Sequence, residues 1–310
     1  MTVASRTTST KSIRVGTRGS RLARLQTDRV VSALRDWNQE LTFDEVVIST
    51  AGDRDKLTPL SVIGGQAIFA KELQQAILDE RVDCAVHSVK DLTSILPAGL
   101  TLAAVLDRSD PRDVLVSRHE GGLASLPPGA RVGTSSRRRM TQLRLARPDI
   151  EIVELRGNVD TRLAKVLDDT SGAYDAVILA AAGVLRMGYE QRISEYLDLS
   201  LFTPAPGQAA LGVDCRTDDR ATREILASVN DWTAATEVEA ERAFLRALGG
   251  GCASPMAAHA RIEGDIIRMW AMLADETMER VAMSEDEADV EDGVALAERM
   301  ALALRNRIDR

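Results

Sequence analysis

The sequence predicts an α/β protein of two doubly wound domains joined by a hinge, followed by a smaller α/β C-terminal domain with an antiparallel sheet. Three observations lead there. Short apolar runs rich in Val and Ile alternate with longer segments of helical period, the pattern of a mostly parallel sheet. Two turn-rich stretches, DRSDPRD from Asp107 and FTPAPGQAALGVDC from Phe202, interrupt that alternation and read as two chain crossings. At 310 residues the chain exceeds one ordinary core and suits two or three domains.

Residues 12–17, 45–50, 84–89 and 101–106 read as strands, with helices over 22–34 and 69–78 between them. Strands over 114–117, 131–133, 150–155 and 176–181, with helices over 136–147 and 159–167, form the second set. The stretch after Phe202 ends in a strand that returns to the first sheet. From about Asn230 a helix over 237–248, the loop GGGCASP, a hairpin through 266–273 and 279–283, and a final helix from Val294 are expected, with the acidic run SEDEADVED as a solvated loop. The domains so drawn are 1–106 with 210–228, then 107–209, then 229–310.

Apolar content of 45% with 3% aromatic residues describes a globular chain poor in base-stacking side chains, and the net charge of −8 argues against nucleic acid as a partner. The charge is uneven. Residues 132–165 carry eight Lys/Arg against four Asp/Glu, whereas 275–310 carry five against eleven. Such a local positive region suits a discrete anionic ligand. The polar start MTVASRTTSTKS lacks a signal-peptide run and no segment offers ~18 uninterrupted apolar residues, so a cytoplasmic protein without a membrane partner is expected. Cys84, Cys215 and Cys252 are distant and unpaired by motif, and His87, His119 and His259 are scattered, so no metal site is expected.

VGTSSRRRMTQLRLARP, residues 132–148, ends a strand and starts a helix. It gathers the hydroxyls of Thr134, Ser135 and Ser136 and free backbone N–H groups at a positive helix N-terminus, a turn that accepts an anion. LRGNVDTRLAK repeats the arrangement with Arg156, the cap Asn158 and Arg162. Strand C-termini of open parallel sheets face the ligand crevice, so these clusters should converge there. Arg138, Arg139 and Arg156, each just after a strand end, read as ligand-facing, and Arg144 and Arg147 as solvated surface. The guanidinium fork binds carboxylates in pairs of hydrogen bonds, which makes several carboxylates or phosphates the expected ligand groups. In the first domain, VGTRGSRLARLQ sets Arg18, Ser20 and Gln26 after a strand, and AVHSVKDLTS sets Ser88, Lys90 and Asp91 where another runs out, with His87 read as a hydrogen-bonded structural residue.

HSVKDL, VGTSSRRR, LRGNVDTRLAK, PAPGQAALGVDCR and GGGCASP, in that order and spacing, resemble the porphobilinogen deaminase family, also called hydroxymethylbilane synthases, from about Ile13 through at least Pro255. The resemblance implies a periplasmic-binding-protein-like pair of domains and a transferase of porphyrin (haem) biosynthesis. Such an enzyme joins four porphobilinogen molecules head to tail, with loss of ammonia, into the linear tetrapyrrole hydroxymethylbilane. It implies a covalent dipyrromethane primer on Cys252 through a thioether, Asp91 as the catalytic carboxylate that stabilises the electron-poor ring left by ammonia, and a monomer. Lys90, Ser88, Thr134, Ser135, Ser136, Arg138, Arg139 and Arg162 are carried over as cofactor contacts, and Arg18, Ser20, Gln26, Arg156 and Arg186 as contacts to substrate and the growing polypyrrole chain. Gln66, Ala209, Arg137 and Gly249 depart from the family's pattern. A non-catalytic hinged anion-binding module of the periplasmic-binding type is the alternative reading, and a nucleic-acid-binding protein a weaker one.

Overall fold

The computed structural model of the protein describes residues 12–50, 70–168, 171–249 and 255–310. Three sheets organise it. The first contains β1 (Ser12–Arg18), β2 (Thr42–Ile48), β3 (Cys84–Ser88), β4 (Leu100–Val105) and β10 (Leu211–Arg216) in the order β2-β1-β3-β10-β4. β1 pairs parallel with β2 and β3; β10 returns to this sheet, as expected, and does so antiparallel between β3 and β4, a placement the sequence reading did not specify.

Both faces of this sheet are covered. Helix α1 (Arg21–Trp37) is capped by Ser20, whose Oγ accepts from the Ala23 N–H at 3.3 Å, and buries Val30, Val31 and Leu34 against Ile13, Val15 and Val213. Helix α2 (Lys71–Leu78) sets Leu73, Ala76 and Ile77 against Ile48, Val82 and Ala85 on the other face. Cys84 and Cys215 are paired across β3 and β10 and fully buried, and burial pushes the Cys215 thiol up to about 11. Both act as small apolar residues.

The second sheet has the order β7-β6-β8-β5-β9, from β5 (Asp113–Ser117), β6 (Arg131–Gly133), β7 (Glu151–Val153), β8 (Ala176–Ala180) and β9 (Glu195–Tyr196). Its period of two is explicit: Val114, Val116, Val177 and Leu179 face one core, and Leu115, Ala176 and Ile178 the other. Helices α3 (Arg137–Ala146), α4 (Val159–Leu167) and α5 (Ala181–Arg186) flank it. After β10 come α6 (Arg220–Ala227), which the sequence reading missed, and α7 (Trp232–Ala247), which starts five residues earlier than expected because Asp231 caps it.

The C-terminal sheet is three-stranded, β11 (Met256–Glu263), β12 (Ile266–Ala274) and β13 (Val281–Asp289), under α7 and α8 (Gly293–Ile308). The acidic run expected as a solvated loop is therefore mostly strand. Glu285, Asp286 and Glu287 lie in β13, exposed on an edge, with Arg268 of β12 donating to Glu287 at 2.9 Å. Charged side chains on an edge strand oppose pairing with a second sheet.

Candidate functional site

The strand ends of the first two sheets meet across a cleft of about 110 Å³. Leu22, Gln26, Ser88 and Lys90 line it from the first unit, Arg139, Val159, Arg162, Ala182, Gly183 and Arg186 from the second, and Ala209 from the crossing segment. Among the charged residues lining it, Lys90, Arg139, Arg162 and Arg186 are all cations.

In the first unit, β3 runs out at Ser88 and a single 3-10 turn, Val89–Asp91, follows. Gln26, buried on α1, donates to Ser88 Oγ at 3.0 Å, so these two predicted residues are joined. Lys90 Nζ donates to Gln208 Oε1 at 3.2 Å. The neighbouring Asp91 is half-buried, and its carboxylate has no hydrogen bond or ion pair among the described residues. Ser20 serves as the α1 cap. Arg18, at the end of β1, does not line the cleft. His87 is bound at Nε2 to Asp214 Oδ1, 2.8 Å away, in the buried structural role expected of it.

In the second unit, the three hydroxyls of the β6–α3 turn each enter a local bond. Thr134 Oγ1 accepts from the Ser136 N–H at 3.2 Å, Ser135 Oγ donates to the Leu155 carbonyl at 2.6 Å, and Ser136 caps α3 by accepting from the Arg139 N–H at 3.5 Å. Arg138 and Arg139 are both buried and both grip one carboxylate. Arg139 Nη2 donates to Asp113 Oδ1 at 2.7 Å, and Arg138 Nη1 lies 2.8 Å from Asp113 Oδ2. Arg138 also donates to the Thr203 carbonyl at 2.7 Å. The two guanidiniums hold the Asp113 carboxyl well below the usual carboxylate range, against a burial effect that acts the other way. Sequence reasoning missed Asp113: it took the cluster around Pro111 only as the mark of a crossing.

Arg139 keeps one free donor, a buried Nε without a partner among the described residues, and so does Arg186, whose Nη2 donates to the Ala209 carbonyl at 2.6 Å. Arg162 Nε donates to the Gly157 carbonyl at 2.8 Å. Burial, with Arg139 and Arg156 nearby, draws Arg162 down to about 10, and burial with Arg29 does the same to Arg186. The Lys90 ammonium falls to about 8, through burial first and Arg139 next, with Asp91 and Asp113 opposing. Lys90, Arg162 and Arg186 remain charged at neutral pH and form no ion pair among the described residues, which is the electrostatic condition of a site for a polyanion. Arg156 approaches Glu154 at 3.8 Å and does not line the cleft.

Arg147 corrects the expectation of a solvated surface. Its side chain donates to the Leu123 and Leu126 carbonyls and to Asp149, tying the end of α3 to a neighbouring turn. Arg144 is exposed, as expected. Arg137 reaches from the start of α3 to the Glu276 carbonyl of the C-terminal unit. Cys252 and Gln66 lie outside the described residues.

Residues 13–224 match the family described as "Porphobilinogen deaminase, dipyromethane cofactor binding domain", and residues 235–306 match "Porphobilinogen deaminase, C-terminal domain". The chain is 48% identical over 262 residues to the porphobilinogen deaminase of Syntrophobacter fumaroxidans, covering 84% of each chain. It is 46% identical over 292 residues to that of Xanthomonas euvesicatoria pv. vesicatoria, covering 94% of this chain and 95% of the relative. Among solved structures, the Bordetella pertussis BvgS periplasmic VFT2 domain matches with a TM-score of 0.42 and 16% identity, over 75% of this chain and 90% of that one.

Proposed function

Because the chain belongs to the porphobilinogen deaminase family, we infer that its cleft condenses four porphobilinogen molecules head to tail into hydroxymethylbilane with release of ammonia, as a hydroxymethylbilane synthase of porphyrin biosynthesis. The observation that carries this reading is the set of four cations around the cleft without a lining carboxylate among the described residues. Each pyrrole of the substrate brings an acetate and a propionate, so the ligand supplies the anions that the walls lack.

The dipyrromethane cofactor of this family fits the donors present. Two buried guanidinium N–H groups, Arg139 Nε and Arg186 Nε, lack acceptors among the described residues, and carboxylates are groups that satisfy them. Arg139, Arg162, Arg186 and Lys90 would hold those carboxylates beside Ser88, while the turn at Thr134, Ser135 and Ser136, outside the cleft lining, starts the helix that carries Arg139. When bound, the cofactor supplies the pyrrole carbon from which the chain grows. We assign its thioether attachment to Cys252 and place Arg138 behind the wall, where with Asp113 it fixes Arg139. Arg18, Ser20 and Arg156 stand outside the cleft lining, so their role as contacts depends on a longer chain reaching them.

Asp91 is the group we assign to catalysis. Its carboxylate is uncommitted, beside Lys90 at the end of β3, where it can accept the pyrrole N–H of porphobilinogen. Departure of ammonia makes that ring cationic, and a fixed negative charge in a half-buried site stabilises it more than water does. The same carboxylate can take the proton lost from the pyrrole α-carbon that forms the new bond to the methylene left by ammonia. Lys90, of the wrong sign for the cation, binds a substrate carboxylate.

The domains proposed are 1–106 with 210–228, 107–209 and 229–310, a division supported by β10 pairing with β3 and β4. No helix among the described residues is long and apolar enough to cross a membrane. We place the enzyme in the cytoplasm as a monomer, with porphobilinogen and the growing chain as its ligands. Intact mass tests the whole reading. Active protein should carry a denaturation-resistant dipyrrole that Cys252→Ser lacks; turnover by protein of bare polypeptide mass would refute it.

A further inference from the structure

Gln208 does not line the cleft, yet its side chain touches both walls' supports. It is 1% exposed. Its Oε1 accepts from Lys90 Nζ at 3.2 Å, and its Nε2 donates to Asp113 Oδ1 and to the Pro111 carbonyl, both at 2.8 Å. Its own carbonyl accepts from Arg108 Nε at 3.0 Å. One amide thus bonds a cation with its oxygen and an anion with its nitrogen. A flip would turn N–H groups toward the ammonium, so the surroundings fix its orientation.

The backbone beside it is held as firmly. Gly207 has φ +71, and a Cβ there would come within 2.5 Å of Val89 Cγ1 and 3.1 Å of the Lys90 nitrogen. The Gly207 N–H donates to Glu241 at 2.6 Å, and the Val89 N–H to the Ala210 carbonyl at 3.1 Å. The second crossing is therefore pressed under the turn that carries Lys90 and Asp91. Through Asp113, the same amide reaches the carboxylate that anchors Arg139 on the opposite wall.

We propose that Gln208 is a positioning residue for the condensation, one that holds Lys90 and Arg139 in fixed register across the cleft by bonding the first directly and the second through Asp113. The proposal rests on the porphobilinogen reading only in the use made of that register. The charges facing Lys90 are Asp91 on its own turn, Asp113 on β5 and Arg138 and Arg139 on α3, with Arg162 on α4 and Arg186 on α5 lining the same cleft. Against those cations, the Gln208 oxygen is an acceptor that favours the protonated amine.

The test compares Gln208→Met, which keeps volume but neither donates like the amide nor accepts as strongly, with Gln208→Glu, which keeps an acceptor but repels Asp113. Full-length protein is used, with native circular dichroism required of each variant. Acylation of Lys90 is followed against pH by peptide mass, without substrate, alongside KM and kcat for porphobilinogen. The acylation midpoint should fall by ~0.5–1 pH unit in the Met variant and rise in the Glu variant. KM should rise ~10-fold in both, the size expected for one lost charge-assisted hydrogen bond. Unchanged Lys90 midpoints in both variants overturn the proposal, even where activity falls. Shifted midpoints where the wild-type protein does not turn over porphobilinogen leave the Lys90 contact intact and refute the functional reading instead. If the Met variant is not native, the Glu variant decides alone, since a fall or no change in its midpoint contradicts the contact.

Discussion

Arg108 and Glu241 form a paired, buried ion bridge, Nη1 to Oε1 at 2.7 Å and Nη2 to Oε2 at 3.0 Å, that ties the first crossing to the C-terminal unit. Glu241 also accepts from the N–H groups of Gly207 and Ala260, at 2.6 and 2.8 Å, and lies 3.2 Å from His259 Nδ1. Both crossings are thereby pinned to one carboxylate. Glu241→Ala strands Arg108 and should cost about 3–5 kcal/mol, read as a lower urea midpoint. Burial opposes ionisation, but Arg108 and His259 draw Glu241 from 4.5 to about 2. A carboxyl lowered on folding stabilises above its unfolded value, and that contribution is lost as pH falls from about 4.5 through about 2. The acid limb of the stability curve should be shallower in Glu241→Gln than in wild type.

Asp91→Asn should fold normally and lose turnover by ~10²-fold or more, since the developing ring cation then has no counterion. Asp91→Glu, charged but displaced by a methylene, should retain more. Steady-state turnover beside thermal melts checks both, and an active Asn variant would move the role to another carboxylate.

The lowered Lys90 gives binding a pH dependence of definite sign. Below about 8 the ammonium is present to meet a carboxylate; as pH rises through that value it is lost, so affinity for a pyrrole dicarboxylate should fall. Near pH 8, binding should also take up protons, because the anion raises the Lys90 value again. Calorimetry in buffers of different ionisation enthalpy measures both effects, and affinity that is flat from about pH 7 to about pH 9.5 would contradict them.

What was legible in the sequence was local. Ser20, Ser136 and Asn158 were readable as helix starts because capping involves residues two or three apart, and each caps its helix. The strand-end positions of Lys90, Asp91 and Arg139 followed from the same logic. The partners of those residues did not, because Asp113 and Gln208 act across 26 and 118 positions, on Arg139 and Lys90 respectively. Arg147 was misjudged for the same reason: two of its acceptors are backbone carbonyls more than twenty positions away. The start of β13 was expected as the second hairpin strand, but its acidic remainder was hidden, because an edge strand with one polar face shows little apolar alternation beyond Met283.

Ala209 occupies a left-handed conformation, φ +74, that favours glycine. Ala209→Gly should relieve ~1–2 kcal/mol of steric strain, less the entropy of a freer unfolded chain, for a net gain of about 0.5–1 kcal/mol. Chemical denaturation decides it; a lower midpoint would show that the Ala209 methyl contributes more by packing on the cleft wall.

Arg147→Leu and Arg139→Leu should separate stability from chemistry. The first leaves two backbone carbonyls and Asp149 without their donor, and should lower the melting temperature by the equivalent of ~1–3 kcal/mol while the folded fraction stays active. The second also takes a partner from Asp113 and should abolish most turnover. Equal specific activity in the two folded variants would return Arg139 to a purely structural role.

The insertion of β10 between β3 and β4 reverses the order in which the chain can be completed during synthesis. Among the described residues β4 is joined to its sheet only through β10, so the first sheet stays open until residue 216 has left the ribosome. All strands of the second sheet lie between Asp113 and Tyr196, so that unit can close earlier although its first strand is made later. Until then β3 has a bare edge, the kind of surface that pairs with other chains. The turn bearing Asp91 is thus completed after the neighbouring unit can fold, and the vulnerable interval for this protein runs from the emergence of β3, which ends at Ser88, to the emergence of Arg216.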